Sequence, residues 1–332
     1  MILVTGATGI LGRVIVLELL KQGRKVRATK RASSNLQEVR HSYRFYTDRP
    51  DFYFDQIQWI DVDFEDLYSL NDALENVEEV YHCAATVSFN PKDDQLMERT
   101  NVGGTRNLLY AVEDSSVKKF LFVSSIAVLD GFNEDGLMDE NSDFNAKADH
   151  SGYAISKHLS EMEVWRASAE GLNTVIINPG IIIGSGNWGN SSGDLFSKSA
   201  YPFTYKGGTA FVDVRDVAKV AIELMKLHVS GERFIVISEN AKFRLVSDKV
   251  RKALGKKPAK PLPDTVLTAL PVLSIFAFLF PILGILRRTS LEILKVDSRV
   301  SNHKIKKLLN YQFISTADSV DFHLKNYLSD RK

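Results

Sequence analysis

Cysteine is nearly missing: Cys83 is the single one in 332 residues. No intrachain disulfide can form, which excludes a small secreted domain built on disulfides and fits a reducing compartment. An excess of one charge is missing too. Lys and Arg total 42 against 41 Asp and Glu, a formal net charge of +1, so no global field draws in nucleic acid. The sequence holds no internal repeat, no low-complexity tract and no His/Cys/Asp/Glu group at metal-ligand spacing; no metal is expected. The opening run Ile2-Leu3-Val4-Thr5-Gly6 lacks the layout of a secretory leader, so the expectation is a cytoplasmic protein. Hydrophobic residues at 44% and charged residues at 25% describe an ordinary globular chain of one large or two average domains.

What is present is a rhythm. Ile2-Leu3-Val4 is a short buried run, and Ile10, Val14, Leu17 and Leu20 follow at helical spacing until Gly23. Strands are predicted at 25–29, 57–62, 77–83, 119–124 and 174–178, with helices at 67–76, 96–115 and 153–170. Strands alternating with helices of this length predict an α/β fold, a doubly wound parallel sheet of the Rossmann kind. Beyond about residue 180 the rhythm changes: 184–193 is rich in Gly, Ser and Asn, a strand and helix occupy 210–227, and Phe234-Ile235-Val236-Ile237 reads as one more strand. The expected division is a dinucleotide-binding domain over 1–180, rejoined by 210–230, and a smaller substrate-binding lid from 181–209 and 231–332.

Thr5-Gly6-Ala7-Thr8-Gly9-Ile10-Leu11-Gly12 directly follows the first strand and opens the first helix. In this context Gly6 permits a tight turn, Gly9 lets a pyrophosphate approach the backbone, and Gly12 allows close helix–strand packing, while the helix start offers N–H groups to phosphate. An acid about 20 residues on would hold the ribose 2′-hydroxyl of NAD; this chain has Thr29-Lys30-Arg31 there. Arg31, a bidentate donor, and Lys30, a point charge, suit the 2′-phosphate of NADP, so NADP is expected, with NAD as the alternative. Both cations also fit a plain solvated loop. Asp63 ends the third strand and is read either as a partner for the adenine amino group or as a cap of the next helix.

Tyr153 and Lys157 stand at i and i+4 on one helix face, about 30 residues after Ser124-Ser125 at a strand end. A cation beside a phenol lowers its pKa toward the working range, and a serine hydroxyl can hold a carbonyl oxygen.

These motifs together resemble those of an extended short-chain dehydrogenase/reductase of the NAD-dependent epimerase/dehydratase superfamily, on the branch of dihydroflavonol reductases and 3β-hydroxysteroid dehydrogenases. The resemblance spans about residues 1–240 and thins afterwards. Cys83-Ala84-Ala85 matches the small-residue segment beside the cofactor, with Cys83 a packing residue and His82 before it a core histidine. Asn101 leads the motif that runs to Leu108, and Asn178-Pro179-Gly180 matches the segment that closes over the nicotinamide. The resemblance implies hydride transfer between nicotinamide and a carbonyl or secondary alcohol. Ser125 would polarise the carbonyl and Tyr153 would move the proton. Lys157 would bind the nicotinamide ribose and depress the Tyr153 pKa, with Asn101 holding a relay water. Ala84, Ala85, Phe64, Pro179 and Gly180 are implied cofactor contacts.

The rivals are an NAD-retaining nucleotide-sugar epimerase or dehydratase and, from another class, a non-catalytic NADP-binding sensor. Dehydratases of the family carry an acidic pair after the catalytic hydroxyl, where this chain has Ile126-Ala127; sensors lose the Tyr/Lys pair, which this chain keeps.

From Thr265 to Leu286 there is no charge, while Lys256, Lys257, Lys260 and Arg287-Arg288 flank the run and Pro271 and Pro281 interrupt it. It reads as helices of the lid, as a peripheral membrane contact, or as a span. The first two suit an apolar small-molecule substrate, with Phe89, Trp188, Phe196 and Tyr201 as candidate lining residues. The resemblance further implies a homodimer through 96–115 and 153–170.

Overall fold

The computed structural model describes residues 1–189, 191–263 and 297–331. The first part of the chain runs β1 (Ile2–Thr5), α1 (Gly12–Lys21), β2 (Val26–Lys30), α2 (Leu36–Ser42), α3 (Pro50–Phe54), β3 (Gln58–Asp61), α4 (Leu67–Leu74) and β4 (Glu79–His82). It continues through α5 (Asp94–Met97), a π-helical turn (Glu98–Gly103), α6 (Gly104–Glu113), β5 (Lys119–Val123), α7 (Gly152–Ala169) and β6 (Thr174–Pro179). The later part holds β7 (Ile181–Ile183), α8 (Leu195–Ser199), β8 (Phe203–Thr204), β9 (Gly208–Asp213), α9 (Val214–Lys226), β10 (Glu232–Val236), β11 (Glu239–Lys242), α10 (Phe243–Ala253) and β12 (Lys260–Pro261). Helices α11 (His303–Leu309) and α12 (Thr316–Asp330) follow.

Seven strands form one parallel sheet in the order β10-β6-β5-β4-β1-β2-β3. Side chains alternate across it. Phe120, Phe122 and Ile176 enter the core under α4, α6 and α7, whereas Leu121, Val175 and Ile177 enter the core under α1 and α9. Both faces are therefore dry, and the strands read as continuous apolar runs. The strand order reverses between β1 and β4, so the crevice at their carboxyl ends is the switch point where an open α/β sheet takes its ligand.

The second unit is built on the three-stranded sheet β11-β9-β7, with α10 and α12 packed on Phe211, Val246, Val250, Val320 and Leu324. One expected boundary changes. The strand at 234–237, assigned by its position to the lid, is the edge of the main sheet, paired in parallel with β6 from Glu232↔Val175 to Val236↔Pro179. The reason is burial on both sides: Phe234, Ile235 and Val236 are at most 1% exposed. The single helix expected over 96–115 is broken by the π-helical turn at Asn101. Among the described residues no helix is long and apolar enough to cross a membrane; the apolar run 265–286 lies outside the described residues.

Candidate active site

The glycine turn is held by close backbone packing. Gly6 has φ +64°, and a Cβ there would stand 2.6 Å from the Ala84 nitrogen and 2.7 Å from the Cys83 carbonyl carbon. A Cβ on Gly12 would run into the Gly6 carbonyl oxygen. The glycines thus bring β1, the start of α1 and the residues after β4 together at the switch point. Leu11, the N-cap of α1, gives no side-chain acceptor, and the first turn holds no acid. This end of the helix suits a phosphate. Ile10 of the turn packs under Gly184, whose Cβ would meet Ile10 Cγ1 at 2.8 Å.

Thr5 Oγ accepts from the Ala84 amide at 3.2 Å and bonds His82 Nδ1 at 2.7 Å, while His82 Nε2 bonds Thr105 Oγ at 3.0 Å. His82 lies among Phe64, Phe120 and Phe122. Burial, with Lys157 adding to it, pushes its pKa down to about 3, and the ring is a neutral core group. Burial pushes the Cys83 thiol up to about 12, so it is no nucleophile at neutral pH. Phe64 packs on Gly104 and its carbonyl accepts from Asn107 at 2.9 Å. Ala85 is half-buried beside Ala84.

At the end of β2 the two cations part company. Lys30 is engaged by both Asp61 oxygens at 2.6 Å. Arg31 is exposed, and its guanidinium has no carboxylate partner among the described residues. Asp63 accepts from the Glu65 amide at 2.9 Å, a local turn; the cap of α4 is Asp66, which accepts from Tyr68.

The residues expected to carry the acid–base chemistry lie at the carboxyl end of β5. Ser125 stands just after that strand in extended backbone, its Oγ accepting from the Ala127 amide at 3.1 Å. Ser124 is the backbone-bonding neighbour, its amide donating to Ile177 at 2.8 Å. Tyr153, in the first turn of α7, faces the Ser125 side chain, which pulls the phenol pKa down against burial. Lys157, one turn on and 2% exposed, donates to the Val123 carbonyl at 2.6 Å and lies over the Phe122 ring. Its pKa falls to about 8 because burial outweighs the opposing pull of Glu161.

One expectation is corrected here. The phenol of Tyr153 is raised, not depressed: burial pushes it up and Ser125 alone opposes. The physical reason is that the Lys157 ammonium is spent on Val123 and Phe122. Asn101, expected to hold a relay water, makes side-chain bonds to two elements of the site. Its Oδ1 accepts from the Thr86 amide at 2.7 Å, and its Nδ2 donates to the Thr86 carbonyl at 2.9 Å and to Ser156 Oγ at 3.0 Å. The side chain ties the segment following β4 to α7 from within a π-helical turn, a distortion common at functional sites.

Pro179 ends β6, and Gly180 passes so close to β9 that a Cβ would strike the Ala210 carbonyl oxygen. Of the aromatic candidates, Phe89 is 51% exposed with its ring 6.1 Å from that of Tyr153. Phe196 is a correction: at 1% exposed it is core, packed on Trp188 and Tyr327. Trp188 donates to Asp330 at 2.6 Å and lines a cleft of about 310 Å³ with Thr8, Asn35, Glu38 and Asn187, on the glycine-turn side. Tyr201 is 61% exposed just past α8.

Sequence reasoning missed Arg13. It is fully buried, with Nε donating to the Gly9 carbonyl at 3.1 Å, Nη2 to the Thr8 carbonyl, and both Nη atoms to Glu38. Its signal was a lone charge inside the apolar run from Ile10 to Leu17. The group Ser185, His323 and Asp213 was missed as well, with Ser185 Oγ 2.7 Å from His323 Nδ1 and Asp213 3.3 Å from Nε2. All three are at most 1% exposed, so the arrangement pins α12 to β9 and offers no nucleophile to a substrate.

A family model described as NAD dependent epimerase/dehydratase family matches residues 2–237. The sterol demethylase protein B of Methylococcus capsulatus is 29% identical over 284 residues, covering 82% of this chain and 80% of that protein. Cinnamoyl-CoA reductase 1 of Arabidopsis thaliana is 28% identical over 285 residues, covering 78% and 76%. Among solved structures, gox2253 superposes with a TM-score of 0.81 at 27% identity over 99% of this chain and 98% of its own. Gre2 of Candida albicans, solved with NADPH, shares the fold with a TM-score of 0.74 at 18% identity over 100% and 99%. A glycine turn at the switch point of a seven-stranded parallel sheet, a Ser/Tyr/Lys group at the end of β5 and this family match lead to one assignment: the chain belongs to the NAD dependent epimerase/dehydratase family and is an NAD(P)-dependent enzyme of the extended short-chain dehydrogenase/reductase type.

Proposed function

We propose that this enzyme is an NADP-preferring reductase of a carbonyl group on a fairly apolar small molecule. The observation that carries the reading is that Ser125, Tyr153 and a buried Lys157 come together at the carboxyl end of β5, with the Ser125 side chain acting on the Tyr153 phenol. When bound, the nicotinamide supplies the hydride. Ser125 holds the carbonyl oxygen, and Tyr153 delivers the proton as charge develops on that oxygen, so that carbonyl, hydride and proton become an alcohol. Burial keeps the phenol protonated, so it stands as a proton donor at neutral pH. Lys157, one helical turn from Tyr153, is held on the Val123 carbonyl, and Asn101 positions the helix that carries both by tying Ser156 to Thr86.

The glycine turn and the α1 N-terminus would hold the pyrophosphate, with the close packing of Gly6 on Ala84 leaving room for it. Arg31 would meet the 2′-phosphate. The apolar character of the substrate rests on Val87 and Phe89, 40% and 51% exposed, the latter beside Tyr153. The same reading takes the outer face of α6 and α7 as the seat of a second copy. Tyr110, Ile155, Leu159 and Met162 are 38–51% exposed there.

Tyr153→Phe tests the mechanism. Reduction of an apolar ketone should fall at least about a hundredfold, the usual worth of a positioned acid, while NADPH affinity stays. Unchanged turnover would overturn the assignment of Tyr153.

A further inference from the structure

Beneath the acid–base residues lies a carboxylate that the mechanism above does not use. Tyr153, Lys157 and Glu161 occupy i, i+4 and i+8 on α7, hence one face of the helix. Glu161 is 2% exposed. A buried carboxylate persists only with partners, and this one has them from three elements. Asn178 of β6 donates Nδ2 to Glu161 Oε1 at 2.7 Å, and Arg233 of β10 approaches Oε2 to 3.7 Å. Lys157 lies one helical turn away. The same Asn178 Nδ2 donates to the Ser125 main-chain carbonyl at 3.1 Å. One buried carboxyl group therefore adjoins both halves of the proton-transfer group, Lys157 one turn away on the same helix face and Ser125 through Asn178.

We propose that Glu161 is a positioning residue of the site, holding Lys157 as a cation and, through Asn178, fixing the main chain of Ser125. The inference rests on the function proposed above. Around Lys157 the facing groups are Glu161 on its own helix, Cys83 and His82 at the end of β4, and the Val123 carbonyl of β5. Glu161 is the only carboxylate among them, and it raises the Lys157 pKa against the pull of burial. Around Glu161, burial pushes its own pKa up while Ser124, Asn178, Arg233 and Lys157 oppose.

Glu161→Gln removes the charge and keeps an oxygen for Asn178. The variant should lose its alkaline activity limb about one pH unit earlier than the wild type, with about fivefold lower kcat at pH 8, since a midpoint near 8 leaves Lys157 about half protonated there and a midpoint one unit lower leaves about a tenth. Loss of a negative charge moves Lys157 and Tyr153 in the same direction, so the sign does not depend on which of them titrates. A merely structural role would lower kcat evenly and leave the limb in place, which would overturn the proposal. A second readout needs no turnover. The 13Cε resonance of Lys157, assigned by its loss in Lys157→Met, is titrated in the full-length wild type and in Glu161→Gln. A midpoint lowered by about a unit supports the inference; an unmoved midpoint refutes it. A wild type that reduces no ketone probe while its Lys157 midpoint responds to Glu161→Gln would reject the proposed reaction and keep the charge coupling.

Discussion

Arg13 grips Glu38 with two parallel hydrogen bonds, Nη1 to Oε1 at 2.7 Å and Nη2 to Oε2 at 2.8 Å, across 25 residues of chain. The arginine side chain is 0% exposed and the carboxylate 35%. Glu38 also accepts the Asn187 amide at 2.6 Å, so this pair joins the glycine turn, α2 and the segment after β7. Removing one partner strands a charge, the situation in which a buried pair matters most. With Glu38 partly solvated, Glu38→Gln should cost about 2 kcal/mol in urea unfolding. Arg13→Met combined with Glu38→Met should cost at least about 1 kcal/mol less than the sum of the single changes. Strict additivity would show that the pair is not coupled.

Stability and cofactor binding should separate at two neighbouring glycines. A Cβ on Gly12 collides with the Gly6 carbonyl, a rigid backbone atom, whereas on Gly9 it stands 3.1 Å from that oxygen. Gly12→Ala should therefore lose about 2 kcal/mol or more from overpacking. Gly9→Ala needs a shift of only a few tenths of an ångström, so it should fold with nearly wild-type stability and lose at least about tenfold in NADPH affinity, because its methyl stands where phosphate approaches. Thermal unfolding and fluorescence titration of the two variants measure this directly. An NADPH affinity left intact in Gly9→Ala would remove the pyrophosphate from this turn.

Acid should unfold the protein partly through His82. Its pKa is near 3 in the folded chain against an ordinary value of 6.5. The folded state therefore binds fewer protons than the unfolded one between those values. Stability contributed by the neutral ring is fully present above pH 6.5 and is lost as the pH falls toward 3. The loss is on the order of a few kcal/mol. In His82→Gln this part of the dependence should vanish, leaving a shallower slope of unfolding free energy from pH 6.5 to 4. An equally steep slope in the variant would assign the acid sensitivity to other groups, among them His323, whose burial also holds it below its usual pKa.

The order of elements up to β6 was legible because both faces of the sheet are dry: runs such as Lys119–Val123 and Thr174–Pro179 declare themselves by apolar content, and each helix between them by its spacing. The glycine turn and Tyr153/Lys157 were legible because local backbone needs and helix periodicity write themselves at fixed offsets. What escaped was long-range. Strand β10 joins β6 after 52 intervening residues, so distance along the chain misplaced it. Phe196 is as aromatic as Phe89, yet one is core and the other stands beside Tyr153, a difference set by packing partners alone. The depressed phenol expected from a Tyr/Lys pair failed for a similar reason. Helical spacing puts Lys157 on the right face, but the Val123 carbonyl and the Phe122 ring decide where its ammonium points.

Cofactor choice should hang on Arg31 more than on Lys30. Lys30 is already held by Asp61, with two contacts of 2.6 Å, and a 2′-phosphate would have to compete with that carboxylate. Arg31 is exposed, and its own amide donates to Ser34 Oγ at 3.0 Å, which orders the turn that presents it. A guanidinium without a carboxylate partner among the described residues can give a phosphate two charge-assisted bonds. Arg31→Ala should weaken NADPH binding about tenfold, the equivalent of about 1.4 kcal/mol, and leave NADH nearly unchanged; Lys30→Ala should do less. Equilibrium titration of the purified protein with both reduced cofactors, after a spectroscopic check for nucleotide carried through purification, decides it. Wild-type protein that prefers NADH, or that retains NAD, would reverse the NADP assignment. It would also favour an epimerase or dehydratase, in which the nucleotide stays bound between the two halves of the reaction.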